Sequence, residues 1–305
     1  MSSDYANISV IITNAFLTFH YICGMITLTT LHRTIIPLPC PSTGCTGRAW
    51  GMVPGWLSAL LILLAMAQSA MCQDHCVWSK GGIIRMDTTR MYIYLAFTGA
   101  DHADGADDIL ATLRRERIRG NFFLTGSFVE RHPETVGRMV DEGHYVGSHS
   151  YGHLLYSPWD RPDSTTVTHE EFCRDVRLSY AQLAPFGIDM QNAPVFLPPY
   201  EHYNDTISLW ARQMGLQVVC FTPGSTSNAD YTTPDMKNYR SSATIYGNIL
   251  SLEESKGLNG HIMLFHLGTV EARTDKFYRK HLRKLIRKLK QRGYGFGCFR
   301  EEANP

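Results

Sequence analysis

From Met91 onward the chain alternates short apolar runs with longer segments whose apolar residues recur at helical spacing. The short runs predict strands at Met91–Phe97, Asn121–Leu124, Tyr145–Ser148, Pro194–Leu197, Leu216–Phe221, His261–His266 and Tyr294–Phe299. Between the third and fourth, Thr168 and Glu171 have the spacing of a capping box. They stand ahead of Phe172, Val176, Tyr180 and Leu183 on one helical stripe, which predicts a helix. Strands alternating with helices imply βα units around a parallel sheet. About seven such units fit a closed or nearly closed α/β barrel in a single domain. The segment Lys276–Arg292 carries nine Lys or Arg and no acid, with Leu282, Leu285, Ile286 and Leu289 on one stripe. It is read as an outer barrel helix, apolar inward and charged outward, ahead of a lipid- or polyanion-binding helix.

The N-terminal quarter has a different pattern. Residues 8–31 and 53–72 contain no Lys, Arg, Asp or Glu, and about 20 apolar residues suffice to cross a bilayer. In the second stretch the strongly apolar run is confined to Trp56–Ala67. Arg48 and Met52 stand ahead of it, and Ala65-Met66-Ala67 makes a small-x-small cleavage pattern at its end. That order predicts a signal peptide over residues 52–67. Residues 1–51 are then expected to be an over-extended N-terminus, 68–90 a lead-in and 91–300 the barrel. The competing reading is a double-anchored membrane protein. Export predicts a periplasmic or secreted domain that meets the membrane only through an uncleaved N-terminal segment. In that compartment Cys72, Cys76, Cys173, Cys220 and Cys298 are expected to be buried or bridged. None forms a CxxC pair, which argues against a thiolate zinc site.

Composition narrows the class further. Hydrophobic residues make up 44% and charged residues 19% of the 305, which excludes a disordered or fibrous chain. Lys plus Arg number 29 against 28 Asp plus Glu, so no basic excess points to a nucleic-acid partner.

Candidate chemistry gathers just after the predicted strands. His149 and His153 in HSYGH are four apart, a metal-ligand spacing if the segment turns as a helix. Asp101 and Asp104 follow the first strand and Tyr200 and Glu201 the fourth. Asp230 follows the fifth, and His266 ends the sixth. Strand ends on one rim of a barrel are where active sites form.

The segments Gly143–His153, Asn121–Leu124, Pro198-Pro199-Tyr200 and Met263–His266 resemble those of the polysaccharide deacetylase family, the NodB-homology domain of carbohydrate esterase family 4. The wording around Phe97, Pro198 and Thr222–Thr232 resembles a divergent subgroup of exported bacterial proteins. The resemblance covers roughly Met91 to Phe299. It implies a distorted (β/α) barrel and metal-assisted removal of N- or O-linked acetyl groups from an extracytoplasmic polysaccharide. By its motifs, His149 and His153 match metal ligands, with zinc the first choice of ion and cobalt or nickel as substitutes. Tyr200 matches an oxyanion-binding backbone N–H. His266 matches the general acid, with Asp230 as the carboxylate that tunes it.

The first motif departs from the family. Its two aspartates fall on Thr98 and Gly99, and no Arg precedes Pro198-Pro199-Tyr200. The expected replacements are Asp101 as third ligand and Asp104 as base, with the two roles open to exchange and Glu201 as a third candidate base. Trp159, Tyr151, Tyr203 and Tyr231 are candidates to stack on a sugar. His144 and His202 are candidates for supporting donors, each also readable as a packing or rim residue. Two rival functions follow: a carbohydrate-binding barrel without turnover, and an amidohydrolase for a small non-sugar amide.

Overall fold

The computed structural model describes residues 75–302. The signal-peptide, start-site and Cys72 expectations lie outside the described residues. Among the described residues no helix is long and apolar enough to cross a membrane.

Strand β3 (Tyr92–Gly99) is the spine of the sheet. All but its first residue is buried, as expected of a strand packed on both faces. It runs parallel to β8 (His261–His266) on one edge and to β4 (Asn121–Leu124) on the other, and β4 pairs with β5 (Tyr145–Ser148). The short β9 (Gly295–Phe296) joins β3 near its start. Asn121, fully buried, binds Leu95 O and Gly297 O and accepts Phe299 N–H, which knits this end of the sheet together.

A second parallel pair, β6 (Val195–Phe196) with β7 (Gln217–Val218), completes the wall. Leu197 N–H reaches Ser148 O at 3.3 Å, joining β6 to β5. Beside β7, Val219 bridges to Ile83 on β2 (Gly82–Arg85), and Cys220 N–H donates to Ile83 O at 2.9 Å. Strand β2 in turn meets β8 antiparallel. The circuit therefore closes through single hydrogen bonds at two seams, which is the distortion of this (β/α) barrel.

All seven expected strands are present, three of them trimmed to two residues. The difference lies in the expected lead-in. Residues 77–85 form a hairpin, β1 (Val77–Ser79) and β2, around Lys80 and Gly81 at φ 48° and 71°. Both values are left-handed, the requirement of a tight two-residue hairpin turn. This hairpin supplies the strand that closes the ring.

Helices cover the outside: α1 (Ala106–Glu116), α2 (Gly126–Arg131), α3 (Pro133–Asp141), α4 (His169–Leu183), α5 (Asp205–Gln213), α6 (Ser242–Lys256), α7 (Phe277–Lys280), α8 (Leu282–Gln291) and α9 (Phe299–Glu302). Helix α4 starts at the expected capping box, with Thr168 and Glu171 satisfying each other's backbone N–H groups. Helix α8 buries Leu282, Leu285, Ile286 and Leu289, the stripe read from the sequence. Cys173, Cys220 and Cys298 form no disulfide and are buried.

Candidate active site

Strand register sets the floor of the site. His266 pairs with Thr98, Gly99 with Leu124, and Leu124 with Ser148. The C-terminal ends of β8, β3, β4 and β5 therefore fall in one row, with His266 at one end and His149 just past the other. They border a cavity of about 370 Å³, lined also by His153, Tyr200, Glu201, Asp101 and Thr98.

The segment 149–153 is a loop, where a helical turn was expected. Ser150 and His153 adopt φ of 70° and 54°, and these left-handed residues bring the rings of His149 and His153 to 5.0 Å. Polar groups beneath lock the loop. Ser150 N–H donates to Ser148 Oγ, His153 N–H to Ser150 Oγ and Gly152 N–H to Asp175 Oδ1. Asp175 also accepts Tyr156 O–H at 2.5 Å. The sequence reading passed over Asp175. Its signal was an acid on the same inward stripe of α4 as Phe172, Val176 and Ser179.

His149 is buried, and its Nδ1 lies 2.7 Å from Leu197 O. A carbonyl only accepts, so Nδ1 carries the proton and Nε2 is left with a lone pair, the tautomer of a metal-binding imidazole. Burial, with His153 nearby, holds its pKa down at about 3. Burial likewise lowers the pKa of His153.

Opposite stands Glu201, its Oε1 4.0 Å from His149 Nε2. Tyr200 and Glu201 are consecutive non-glycine residues at φ 58° and 52°. Such a pair is strained, at about 1–3 kcal/mol per residue, and strain of this kind gathers at functional sites. The kink turns Glu201 into the cavity and leaves the Tyr200 ring on the rim, 4.4 Å from that of His153. Burial raises the Glu201 pKa to about 7.

His266 completes the wall. Its Nδ1 lies 2.6 Å from Asp230 Oδ1, and its backbone N–H donates to Asp230 Oδ2 at 3.0 Å. Asp230 is 2% exposed. Burial alone would lower the His266 pKa, but the Asp230 carboxylate outweighs it and the net shift is upward.

The first-motif side is different. Thr98 lines the cavity, its buried Oγ1 without a hydrogen-bond partner among protein atoms. At Gly99 an added Cβ would come within 2.8 Å of the ends of both the Leu124 and Leu267 side chains, so these would have to shift to admit a side chain. Asp101 lines the cavity with a solvent-exposed side chain, its Oδ1 3.5 Å from Arg131.

Asp104, expected as a base, is not among the cavity's lining residues. Its carboxylate turns to Tyr278 O–H at 2.5 Å, Thr269 N–H at 2.9 Å and Lys276 Nζ at 3.1 Å. Burial would raise its pKa, but these three donors lower it. A carboxylate so engaged is a poor proton acceptor.

Of the aromatic candidates, Trp159 and Tyr231 join Tyr200 on the rim, with Trp159 resting 3.9 Å from the His202 ring. Tyr151 instead donates to Glu130, and buried Tyr203 donates to Ser79 O. His144 sits beneath β4, accepting Gly120 N–H.

Comparison with known proteins decides what this arrangement belongs to. Residues 85–219 match the family model described as polysaccharide deacetylase. Over that stretch the chain resembles the polysaccharide deacetylase family. The peptidoglycan-N-acetylmuramic acid deacetylase of Bacillus subtilis is 29% identical over 134 residues, 44% of this chain and 47% of that protein. The peptidoglycan-N-acetylglucosamine deacetylase of Listeria monocytogenes is 27% identical over 208 residues, 68% of this chain but 38% of the relative. The chain thus spans less than half the length of these two relatives. The solved Bacillus subtilis structure, a family 4 carbohydrate esterase, superposes with a TM-score of 0.58 at 22% identity, covering 73% of this chain and 84% of that one. A Bacillus anthracis structure described as a family 4 pseudoenzyme gives 0.57 at 19% identity, covering 74% and 70%.

As it stands, no three His, Cys, Asp or Glu side chains among the described residues converge tightly enough to hold an ion. The donor chemistry nevertheless fits one. His149 offers a bare Nε2, His153 a low-pKa ring beside it, and Glu201 and Asp101 carboxylates on the same cavity. Two donors on a tetrahedral zinc lie about 3.4 Å apart for bonds near 2.1 Å. The 4.0 Å from His149 Nε2 to Glu201 Oε1 exceeds that separation, which leaves Glu201 beside such an ion and not on it.

Proposed function

We propose that this domain is a metal-dependent hydrolase that removes acetyl groups from a polysaccharide outside the cytoplasm. One observation carries the reading. His149, His153, Glu201 and His266, the last held from behind by Asp230, border one cavity at the strand ends of a barrel that resembles the polysaccharide deacetylases. The relatives named as peptidoglycan deacetylases support an acetylated glycan as substrate. The uncharged run ending in Ala65-Met66-Ala67 supports export.

His149, His153 and Asp101 would hold a divalent ion, zinc first. When bound, the ion polarises the acyl carbonyl and makes water acidic. Glu201, in place of Asp104, accepts the proton of the attacking water, because it is the shielded carboxylate that points into the cavity. The Tyr200 backbone N–H, turned at the left-handed kink, donates to the oxyanion that forms on the acyl carbon. His266, its Nδ1–H held by Asp230, presents Nε2 to the leaving nitrogen or oxygen and donates a proton as that bond to the acyl carbon breaks. Trp159, Tyr200 and Tyr231 give the rim apolar faces for sugar rings.

Thr98 and Gly99 favour one second reading, a barrel that binds acetylated glycan without turning it over. The test is acetate release from acetylated glucosamine and muramic acid glycans by the purified chain after loading with zinc or cobalt, beside His149→Ala. Release by the wild type and not by the variant supports the deacetylase. Metal uptake and glycan binding with no release from either glycan would hand the domain to the binding reading. A wild type that takes up neither ion would end the metal-dependent account.

A further inference from the structure

The segment after β8 carries two buried cations, Arg273 and Lys276, 1% and 8% exposed. Lys276 holds Asp104. Arg273 forms no ion pair with any described carboxylate; its guanidinium, over the Tyr239 ring, is spent mainly on backbone carbonyls. Nε donates to Asp275 O at 3.0 Å. One terminal nitrogen donates to Thr232 O and lies 3.4 Å from Ala229 O. The other donates to Arg240 O at 3.1 Å and Ser242 Oγ at 3.3 Å.

Burying a guanidinium without a counter-charge is costly and is tolerated only when its donors are satisfied. Here the acceptors have a pattern. Ala229 and Thr232 bracket Asp230 and Tyr231. The loop holding them has little regular structure of its own, a three-residue 3-10 turn (Ser227–Ala229) entered through Thr226 at φ 56°. Ser242 and Asp275 tie the other end of the clamp to the first turn of α6, where Ser242 N–H donates to Asp275 Oδ2 at 2.5 Å. A rigid helix end and the loop bearing Asp230 are thus joined through one planar cation. A point-charge ammonium cannot reach all of these acceptors at once.

We propose that Arg273 is the positioning residue of the Asp230–His266 pair, fixing the carbonyls on either side of Asp230 so that its carboxylate stays on His266 Nδ1. Its consequence for turnover rests on the deacetylase reading; its consequence for the hydrogen bond does not. Its charge also reaches His266, where it opposes Asp230 and lowers the affinity for the proton. Geometry and charge therefore separate in Arg273→Lys, which keeps the charge and loses the planar fork.

The test compares wild type, Arg273→Lys, Arg273→Met and Asn121→Ala. Asn121 is buried and triply bonded at the far end of β4, so its loss costs stability away from the site. The readouts are the imidazole N–H resonance of His266, assigned by its absence in His266→Gln, and kcat and KM for acetate release from an N-acetylated glucosamine oligomer. Arg273→Lys should lose or broaden the resonance and lower kcat roughly 10²-fold, the scale for a misplaced catalytic group, with KM little changed. Asn121→Ala should lower the melting temperature and leave both readouts in place. Arg273→Met should match Arg273→Lys; if it does not fold, Arg273→Lys carries the test. An unchanged resonance in Arg273→Lys, or an equal loss in Asn121→Ala, overturns the proposal. If the wild type releases no acetate, the deacetylase reading fails, and the resonance alone still decides the positioning role.

Discussion

The two sides of the cavity are built differently. On the β5–β6 side, His149, His153 and Glu201 are enclosed, and the loop carrying the two histidines is braced from below by Asp175, Ser148 and Ser150. On the β3 side, where the family's first motif would stand, Thr98 has an unpartnered hydroxyl and Gly99 is packed against the ends of the Leu124 and Leu267 side chains. Asp101 is open to solvent and Asp104 faces away. The enclosed side carries the two histidines and the kinked Tyr200-Glu201 turn, and the open side carries only an exposed and an averted carboxylate. Of the carboxylates on these two sides, the shielded one that points into the cavity is Glu201, on the enclosed side.

Removing a donor from the enclosed side should have the largest effect. His149→Ala should abolish metal binding and acetate release with the circular dichroism spectrum retained. The loss should exceed the roughly 10–100-fold that outer-shell changes around a metal cost. Unchanged metal stoichiometry by elemental analysis would remove His149 from the ligand set.

That side was also the more legible in the sequence. His149 follows one apolar strand and His266 ends another, so a barrel reading of the sequence puts both on the rim of strand ends. The expected helical turn was absent because Ser150 and His153 take left-handed conformations, which an HxxxH spacing does not reveal. Asp104-Gly105 looked like any acidic turn. The direction of its side chain is set by Tyr278, Thr269 and Lys276, more than 160 residues away in sequence, and local pattern carries no such information. Glu201 was legible as a carboxylate beside the Pro-Tyr turn, whereas the kink that points it inward was not. The closing hairpin at 77–85 was passed over, although Lys80-Gly81 between two short apolar runs is a hairpin signal.

On the open side, Gly99→Asp should destabilise the fold by about 2–4 kcal/mol, because it places a carboxylate among the ends of the Leu124, Leu267 and Phe128 side chains. Denaturant unfolding checks this, and a near-neutral result would mean that the first-motif position can still accept the family's ligand.

Away from the cavity, at the start of β5, lies His144, whose pKa burial lowers from 6.5 to about 4. The unfolded chain takes up a proton below pH 6.5 and the native state does not until pH 4. Stability is therefore full above pH 6.5 and lost as pH falls from there to 4, by about 3 kcal/mol at most from this residue. His144→Gln should flatten that part of the unfolding profile while leaving the alkaline side unchanged in slope.

A smaller effect separates structure from chemistry at Asp104. Asp104→Asn should cost about 2 kcal/mol by leaving buried Lys276 without its charge partner, while kcat changes by less than about tenfold, the low end of base removal being about 10². A larger fall in kcat with stability intact would return the base role to Asp104.

The most direct measurement is acetate release by Glu201→Gln beside wild type, with bound metal quantified in both. The account predicts equal metal content and a fall in kcat of about 10²–10⁴, the scale of lost general-base catalysis. Loss of the metal would make Glu201 a ligand, and an unchanged kcat with metal bound would contradict a base supplied from the enclosed side.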